Sequence, residues 1–391
     1  MRTNLQPSIR KDALILVAII LPMFFSCAKT LPLGPEGNGL DPTDLATILE
    51  NKLKNNCVGY AFTISYKQNM TNFRSGGEAR RSQDEPARVM GIFDKFNAAS
   101  ISKTITAAAL IRLLLDKDNV GLDSPFWTYL PSHWTVHNSI KGITFAQLLA
   151  HKSGFKFATN VSYAEEKQNM AAGVNPNDIG KYDYNNNNYG ILRLVIPILA
   201  GNSIINIDKN SLDFLIAAQE IAQAQQLADY YIAYVQQKVF DKTGGAMQNM
   251  ACKPTDTYPA LCYQFPKTAA KGTDFGDMTL TCGSRGWNIS ASQLGLFFRQ
   301  LHYTTNILPK SLSDKMKDEL MGYDSKGTTK DGVSYYWKNG FYPGSMNAGE
   351  INAWIIGFGN DIQIALIINS QFTGTDNIGT TLIKSFQEWY Q

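Results

Sequence analysis

Apolar positions recur along this 391-residue chain with two periods, and the changes of period mark its elements. The first helical pattern follows Asp41-Pro42, a capping residue and a first-turn proline, with Leu45, Ile48, Leu49 and Leu53 as its stripe. A strand comes next: Val58, Tyr60, Phe62, Ile64 and Tyr66 alternate with the smaller Gly59, Ala61, Thr63 and Ser65. From about Ser100 to Leu115 the chain is apolar over a helical length. Residues 120 to 280 then carry helical patterns separated by long polar loops. The longest pattern runs from Ser211 to Val239, with Leu212, Leu215, Ile216, Ile221 and Tyr231 as apolar positions. Strand patterns return at Glu350 to Phe358 and Asp361 to Asn369, where Ile362, Ile364, Leu366 and Ile368 alternate. Leu382, Ile383, Phe386 and Tyr390 close the chain on one helical face. The pattern predicts an α+β fold in which both ends share one antiparallel sheet flanked by helices. Residues 41–118 and 281–391 form its α/β part, and 119–280 a mainly helical inserted region.

The first forty residues read differently. Arg2, Arg10 and Lys11 precede a mostly apolar run from Ala13 to Phe25 that ends in Ser26-Cys27. A basic flank before a short apolar core predicts a secretory signal over 1–26, because a membrane-crossing helix needs about 20 apolar residues. Ser26 directly before Cys27 resembles a bacterial lipoprotein cleavage box, which implies Cys27 as a lipidated new N-terminus; Phe24 departs from the leucine usual at its position. Residues 27–40, with two prolines and three glycines, read as a tether. The expected location is the cell envelope, on the periplasmic face or outer surface, with the membrane touched through the lipid anchor.

Composition narrows the function classes. The chain is 44% hydrophobic and 18% charged, which excludes a disordered or coiled-coil protein. A net charge of +3 without a run of five like charges argues against a nucleic-acid partner. Four histidines and the absence of a C-x-x-C spacing predict no metal site. Beyond Cys27 the cysteines are Cys57, Cys252, Cys262 and Cys282, which allow three pairings. Cys252 and Cys262 share one loop and are the first pair to consider.

Chemistry concentrates at Ser100-Ile101-Ser102-Lys103, which runs straight into the apolar helix. Residues three apart on a helix face the same way, so Lys103 can serve Ser100 as a base. A lysine working near pH 7 to 8 needs a shift of roughly 3 units from about 10.4, or about 4 kcal/mol. Burial and the positive helix N-terminus both push in that direction. The spacing alone is weak: Ser8-Ile9-Arg10-Lys11 has it inside the export signal.

Further segments add weight. Asn97 to Leu115 resembles the nucleophile helix of the serine β-lactamase and D-alanyl-D-alanine peptidase superfamily, particularly its class C-like branch. Leu122-Asp123-Ser124-Pro125 and Tyr129-Leu130-Pro131 are similar to the segment after that helix. Ile143 to Gly154 is similar to its LLxHxSG signature, and Tyr184 to Leu192 to its YxNxNYxLL segment. The resemblance spans roughly residues 41–391 and implies a β-lactamase/transpeptidase-like fold.

The resemblance makes Tyr184 a proton relay beside Ser100 and Lys103. It makes Asn186 an amide for Lys103 and a substrate carbonyl. Its third element, a basic residue, any residue, then glycine, fits Lys338-Asn339-Gly340, where the cation would attract a substrate carboxylate. The backbone N–H groups of Ser100 and Phe341 then form an oxyanion hole. Lys242-Thr243-Gly244 matches literally but ends a helix, where lysine then glycine is ordinary. Glu165 and Asn169 read as surface residues of a helix, and His151 as a structural, hydrogen-bonded histidine. The implied activity is an exported serine hydrolase acting through an acyl-enzyme on an amide or ester, a β-lactam or related cell-wall substrate, without cofactor. The alternatives are a D-alanyl-D-alanine carboxypeptidase, a small-ester esterase, or a catalytically silent peptidoglycan- or penicillin-binding module.

Overall fold

The computed structural model describes residues 41–156, 161–266, 269–343 and 349–391; the segments expected to be signal and tether, with Cys27, lie outside the described residues. Its strands are β1 (Gly59–Tyr66), β2 (Asn69–Arg80), β3 (Arg88–Val89), β4 (Lys95–Asn97), β5 (Asn288–Ser290), β6 (Ser325–Thr328), β7 (Ser334–Tyr342), β8 (Ile351–Phe358) and β9 (Ile362–Ile368). Seven form one antiparallel sheet in the order β3-β2-β1-β9-β8-β7-β6, and β4 and β5 pair separately. The pairing of β1 with β9 joins the two ends of the chain, as the alternating patterns predict.

The helices are α1 (Pro42–Leu53), α2 (Ser102–Leu115), α3 (Phe145–Leu149), α4 (Tyr163–Ala172), α5 (Asn187–Gly190), α6 (Leu192–Ala200), α7 (Asp213–Val235), α8 (Ala291–Tyr303), α9 (Lys310–Asp318) and α10 (Ile378–Tyr390). Asp41 caps α1 by accepting the Thr43 N–H at 2.8 Å, and Trp389 Nε1 donates to the Asp41 carbonyl at 2.8 Å. That contact ties the end of α10 to the start of α1.

Both faces of the central strands are buried, which explains why β1, β8 and β9 are apolar almost throughout. Tyr60, Phe62, Ile64, Ile356, Phe358, Ile364 and Leu366 pack with Leu45, Leu49 and Leu53 of α1 and Leu382 and Phe386 of α10. The Phe358 and Phe386 rings stack with centroids 3.7 Å apart. On the other face Ala61, Ala353, Ile355 and Ile367 join the core of α2 and α8. Gly295 of α8 lies so close to β1 that a Cβ there would fall 2.1 Å from Thr63 Oγ1.

Three expectations change. The α-helix predicted from Ser100 starts at Ser102, because Ala99–Ile101 forms a tighter 3₁₀ turn. The first half of α7 is not buried: Leu212, Leu215 and Ile221 are 64%, 43% and 72% exposed. The helix extends past the body there, and burial begins only at Gln223. Finally, the four described cysteines are buried and unbridged, and the Cys252 thiol lies beside Cys282 rather than Cys262.

Candidate active site

A short ribbon, β4 with β5, delivers the chain to Ser100. The Ala98 N–H donates to the Trp287 carbonyl at 2.8 Å, and Asn97 Oδ1 accepts the Ala99 N–H at 2.8 Å. Ala99 sits at φ 44°, a left-handed conformation that costs an alanine free energy and persists because its surroundings fix it. The result is a sharp reversal that sets Ser100 at the mouth of α2, where the first N–H groups are unpaired within the helix.

Lys103, one turn on, is fully enclosed. Its Nζ donates to Ser100 Oγ at 3.0 Å, to Asn186 Oδ1 at 2.8 Å and to the Ser284 carbonyl at 2.9 Å. Burial is the largest influence on it, and with the cation of Lys338 outweighs the pull of Tyr184 and Asp324, lowering its pKa to about 8. Tyr184 donates its hydroxyl to Ser100 Oγ at 2.7 Å. The nitrogens of Lys103 and Lys338 lie 5.1 and 5.0 Å from its ring centroid. Burial alone would raise the phenol, but the two cations overcome it and bring it down to about 8. Tyr184 as a whole is 40% exposed, so the cleft is open to solvent beside a buried lysine.

The asparagine run after Tyr184 assigns a separate task to three of its members. Asn185 Oδ1 accepts the Asn187 N–H at 2.9 Å, starting α5. Asn186 makes no capping bond with its side chain and offers its oxygen to Lys103 instead. Asn188 accepts from Ser153 Oγ at 2.5 Å and lies 3.1 Å from His151 Nδ1. That nitrogen also accepts the Asn185 N–H at 3.2 Å, so the His151 proton belongs on Nε2. Burial, aided by Lys103 and Lys338, holds this histidine neutral, well below its ordinary pKa. Its ring packs 4.6 Å from Tyr184, which places it as a support for the phenol.

Strand β7 closes the cleft. Gly340 passes the nucleophile turn so closely that a Cβ would lie 2.0 Å from the Ala98 carbonyl oxygen, which admits no other residue without displacement. Lys338, two residues earlier and on the same face, is 1% exposed and sits 2.6 Å from Asp324 Oδ1. Asp324 Oδ2 accepts the Asn339 N–H at 3.0 Å. Phe341 is 44% exposed, and its backbone follows Gly340 along the strand.

The structure thus brings Ser100, Lys103, Tyr184, Asn186, Lys338, Gly340 and Phe341 to one place. Two contributors escape sequence reasoning: Asp324 carries no motif, and the Ser284 carbonyl is backbone. Lys242 is exposed and Gly244 ends its helix at φ 84°, away from the site. Glu165 caps α4, with Oε2 accepting the Ser162 N–H at 3.2 Å. Two grooves of about 550 and 660 Å³ lie along other parts of the sheet, and neither is lined by Ser100.

The arrangement can activate a serine hydroxyl for attack on a carbonyl carbon. The family described as Beta-lactamase matches residues 45–385, and the chain belongs to that family. No curated protein matches the chain. Among solved structures, a beta-lactamase/D-alanine carboxypeptidase from Yersinia pestis is 16% identical, covering 90% of this chain and 100% of that one at a TM-score of 0.65. A class C beta-lactamase from Rhodobacter sphaeroides is 14% identical, covering 89% and 100% at 0.62. A D-amino acid amidase from Ochrobactrum anthropi is 14% identical, covering 90% and 99% at 0.62. At these identities the likeness fixes the β-lactamase/transpeptidase-like fold.

Proposed function

We propose that the chain is a serine hydrolase that cleaves an amide or ester through an acyl-enzyme, on a β-lactam or related cell-wall substrate. One observation carries the reading: Ser100 Oγ lies 3.0 Å from the amine of Lys103 and 2.7 Å from the hydroxyl of Tyr184. With both protonated, Ser100 accepts from each. Both groups titrate near pH 8, so the pair readily gives up one proton, shared between phenol and amine. Ser100 then donates to the pair and its oxygen attacks the carbonyl carbon. The N–H groups of Ser100 and Phe341 receive the oxyanion, where loss of one such donor typically costs about 3 kcal/mol. The C–N or C–O bond breaks as the pair returns its proton to the leaving group. Water, deprotonated by the same pair, then hydrolyses the acyl ester. Asn186 holds Lys103 in line and turns its amide nitrogen to the substrate.

The N-terminal basic and apolar segment before Cys27 supports the further reading that the protein works in the cell envelope, lipid-anchored at Cys27. Intact-mass measurement after incubation with a penicillin, a D-Ala-D-Ala peptide and a p-nitrophenyl ester, with turnover assays alongside, tests the activity. An adduct at Ser100 that decays with product release is the expected result. A permanent adduct without turnover would mark a binding module, and no adduct with any of the three would remove the hydrolase reading.

A further inference from the structure

The groove of about 660 Å³ lies behind the sheet, on the side away from the nucleophile, between the rear of β7 and β8 and the start of α10. Strand alternation puts it there. Lys338 and Gly340 face the cleft, so Trp337 and Asn339 face the other way, and both are half-exposed and line the groove. Its volume falls in the range of small-ligand sites, roughly 300 to 1,000 Å³.

The floor of the groove is aromatic. Trp354, opposite Asn339 in the β7–β8 register, lies against the first turn of α10, where a Cβ on Gly379 would come within 2.7 Å of its ring. Trp337 packs on it with ring centroids 4.9 Å apart and planes inclined at 34°, and Phe372 adds a third ring to the lining. Indoles fixed in this way offer flat apolar surface that loses little conformational freedom when a ligand arrives. The rim is polar. Asn339 gives its backbone N–H to Asp324, and among the described residues its side-chain amide bonds to no other group. Half-buried Glu350 accepts from Asn352 Nδ2 at 2.6 Å. No lysine, arginine or histidine is among the described residues that line the groove. An anionic ligand would therefore meet the carboxylate of Glu350 with no cation beside it. A neutral sugar ring suits both halves of the lining: its C–H face carries partial positive charge and lies on the negative face of an indole, while its hydroxyls exchange hydrogen bonds with amide and carboxylate.

We propose that this groove is a binding site for a neutral glycan, separate from the catalytic cleft and facing away from it. The inference goes beyond the hydrolase reading and does not depend on it. Neighbouring residues of β7 serve opposite sides of the sheet, so a sugar chain held at Trp337 leaves the cleft free and both sites can be filled together.

Calorimetric titration tests this with two uncharged probes, chitotetraose and cellotetraose, and a charged counterpart, tetragalacturonic acid. Each is titrated into wild type, Ser100→Ala, Trp337→Ala and Asn339→Ala. At least one uncharged probe should bind wild type and Ser100→Ala within about 2-fold of each other, and more tightly than the acid does. Trp337→Ala should weaken that binding at least about 10-fold, and Asn339→Ala about 3- to 10-fold. Asn339→Ala removes a side chain that bonds to nothing else in the protein, so it decides the case should Trp337→Ala fail to fold. No binding of either uncharged probe, affinity unchanged in the groove variants, or preference for the acid would overturn the assignment. Binding lost in Ser100→Ala would place the sugar in the cleft and overturn it equally. Acyl-enzyme formation reads the other side of the sheet, so the hydrolase reading and this one fail separately.

Discussion

The two faces of the sheet's central strands are both closed to solvent, yet they hold different matter. Towards α1 and α10 the side chains are large and apolar: Phe62, Ile64, Trp354, Phe358 and Leu366 meet Phe386 and Trp389. Towards α2 and α8 small and polar residues, Ala61, Thr63, Lys338, Gly340, Ala353, Gln363 and Ala365, stand among the larger Ile355 and Ile367. Strand β7 carries both kinds in alternation, with Trp337 and Asn339 to the rear and Lys338 and Gly340 to the front. Bulk suffices where the task is to exclude water. Chemistry needs backbones in close approach and polar groups with partners, which only small residues and an enclosed hydrogen-bond network permit. Front-face changes should therefore remove activity from a folded protein, and rear-face changes should unfold a protein whose remaining folded molecules work.

The largest expected effect is that of Ser100→Ala, which should lower turnover at least roughly 10⁴-fold while the melting temperature stays near that of wild type. Turnover that survives this change would detach the chemistry from the front face. Tyr184→Phe keeps the ring against His151 and loses the hydroxyl, so kcat should fall about 10²- to 10⁴-fold with urea stability preserved. Phe386→Ala should cost about 3 to 5 kcal/mol in urea unfolding with KM unchanged, and a specific loss of kcat instead would blur the division between faces.

The pH dependence sharpens the same contrast. A base that must lose a proton gives an activity that rises with pH, so kcat/KM should climb through about pH 8, where Lys103 and Tyr184 titrate. Lys338 lowers both groups, and removing its charge must raise both. In Lys338→Met the rising limb should move upward by about one unit or more. A limb that stays in place would mean that Lys338 does not tune the pair. The smallest expected effect is at the rear: Asp41→Ala should cost about 1 kcal/mol of stability and leave the pH profile untouched.

Much of the frame is readable in the chain itself. Asp41-Pro42 and the stripe after it give α1, and the alternation in 58–66 and 362–368 gives the paired strands β1 and β9. These are legible because burial repeats with the geometry of the backbone, every second residue in a strand and every third or fourth in a helix. The same rule failed over Leu212 to Ile221, where apolar residues follow a helical period yet Leu212, Leu215 and Ile221 stay exposed. Periodicity reports that a helix has an apolar face, and it does not report whether another element arrives to bury it.

Residue order determined the local chemistry: a hydroxyl and an amine one turn apart, a phenol and an amide two residues apart, a glycine two after a lysine. Tertiary structure alone decided that Ser100, Lys103, Tyr184 and Asn186 meet at 2.7 to 3.0 Å, that Lys103 loses contact with water, and that Asp324 pairs with Lys338. The reason is range. Spacing along a chain fixes directions within one element, whereas a pKa, an ion pair or a buried donor depends on groups brought in by other elements, dozens to hundreds of residues away in sequence.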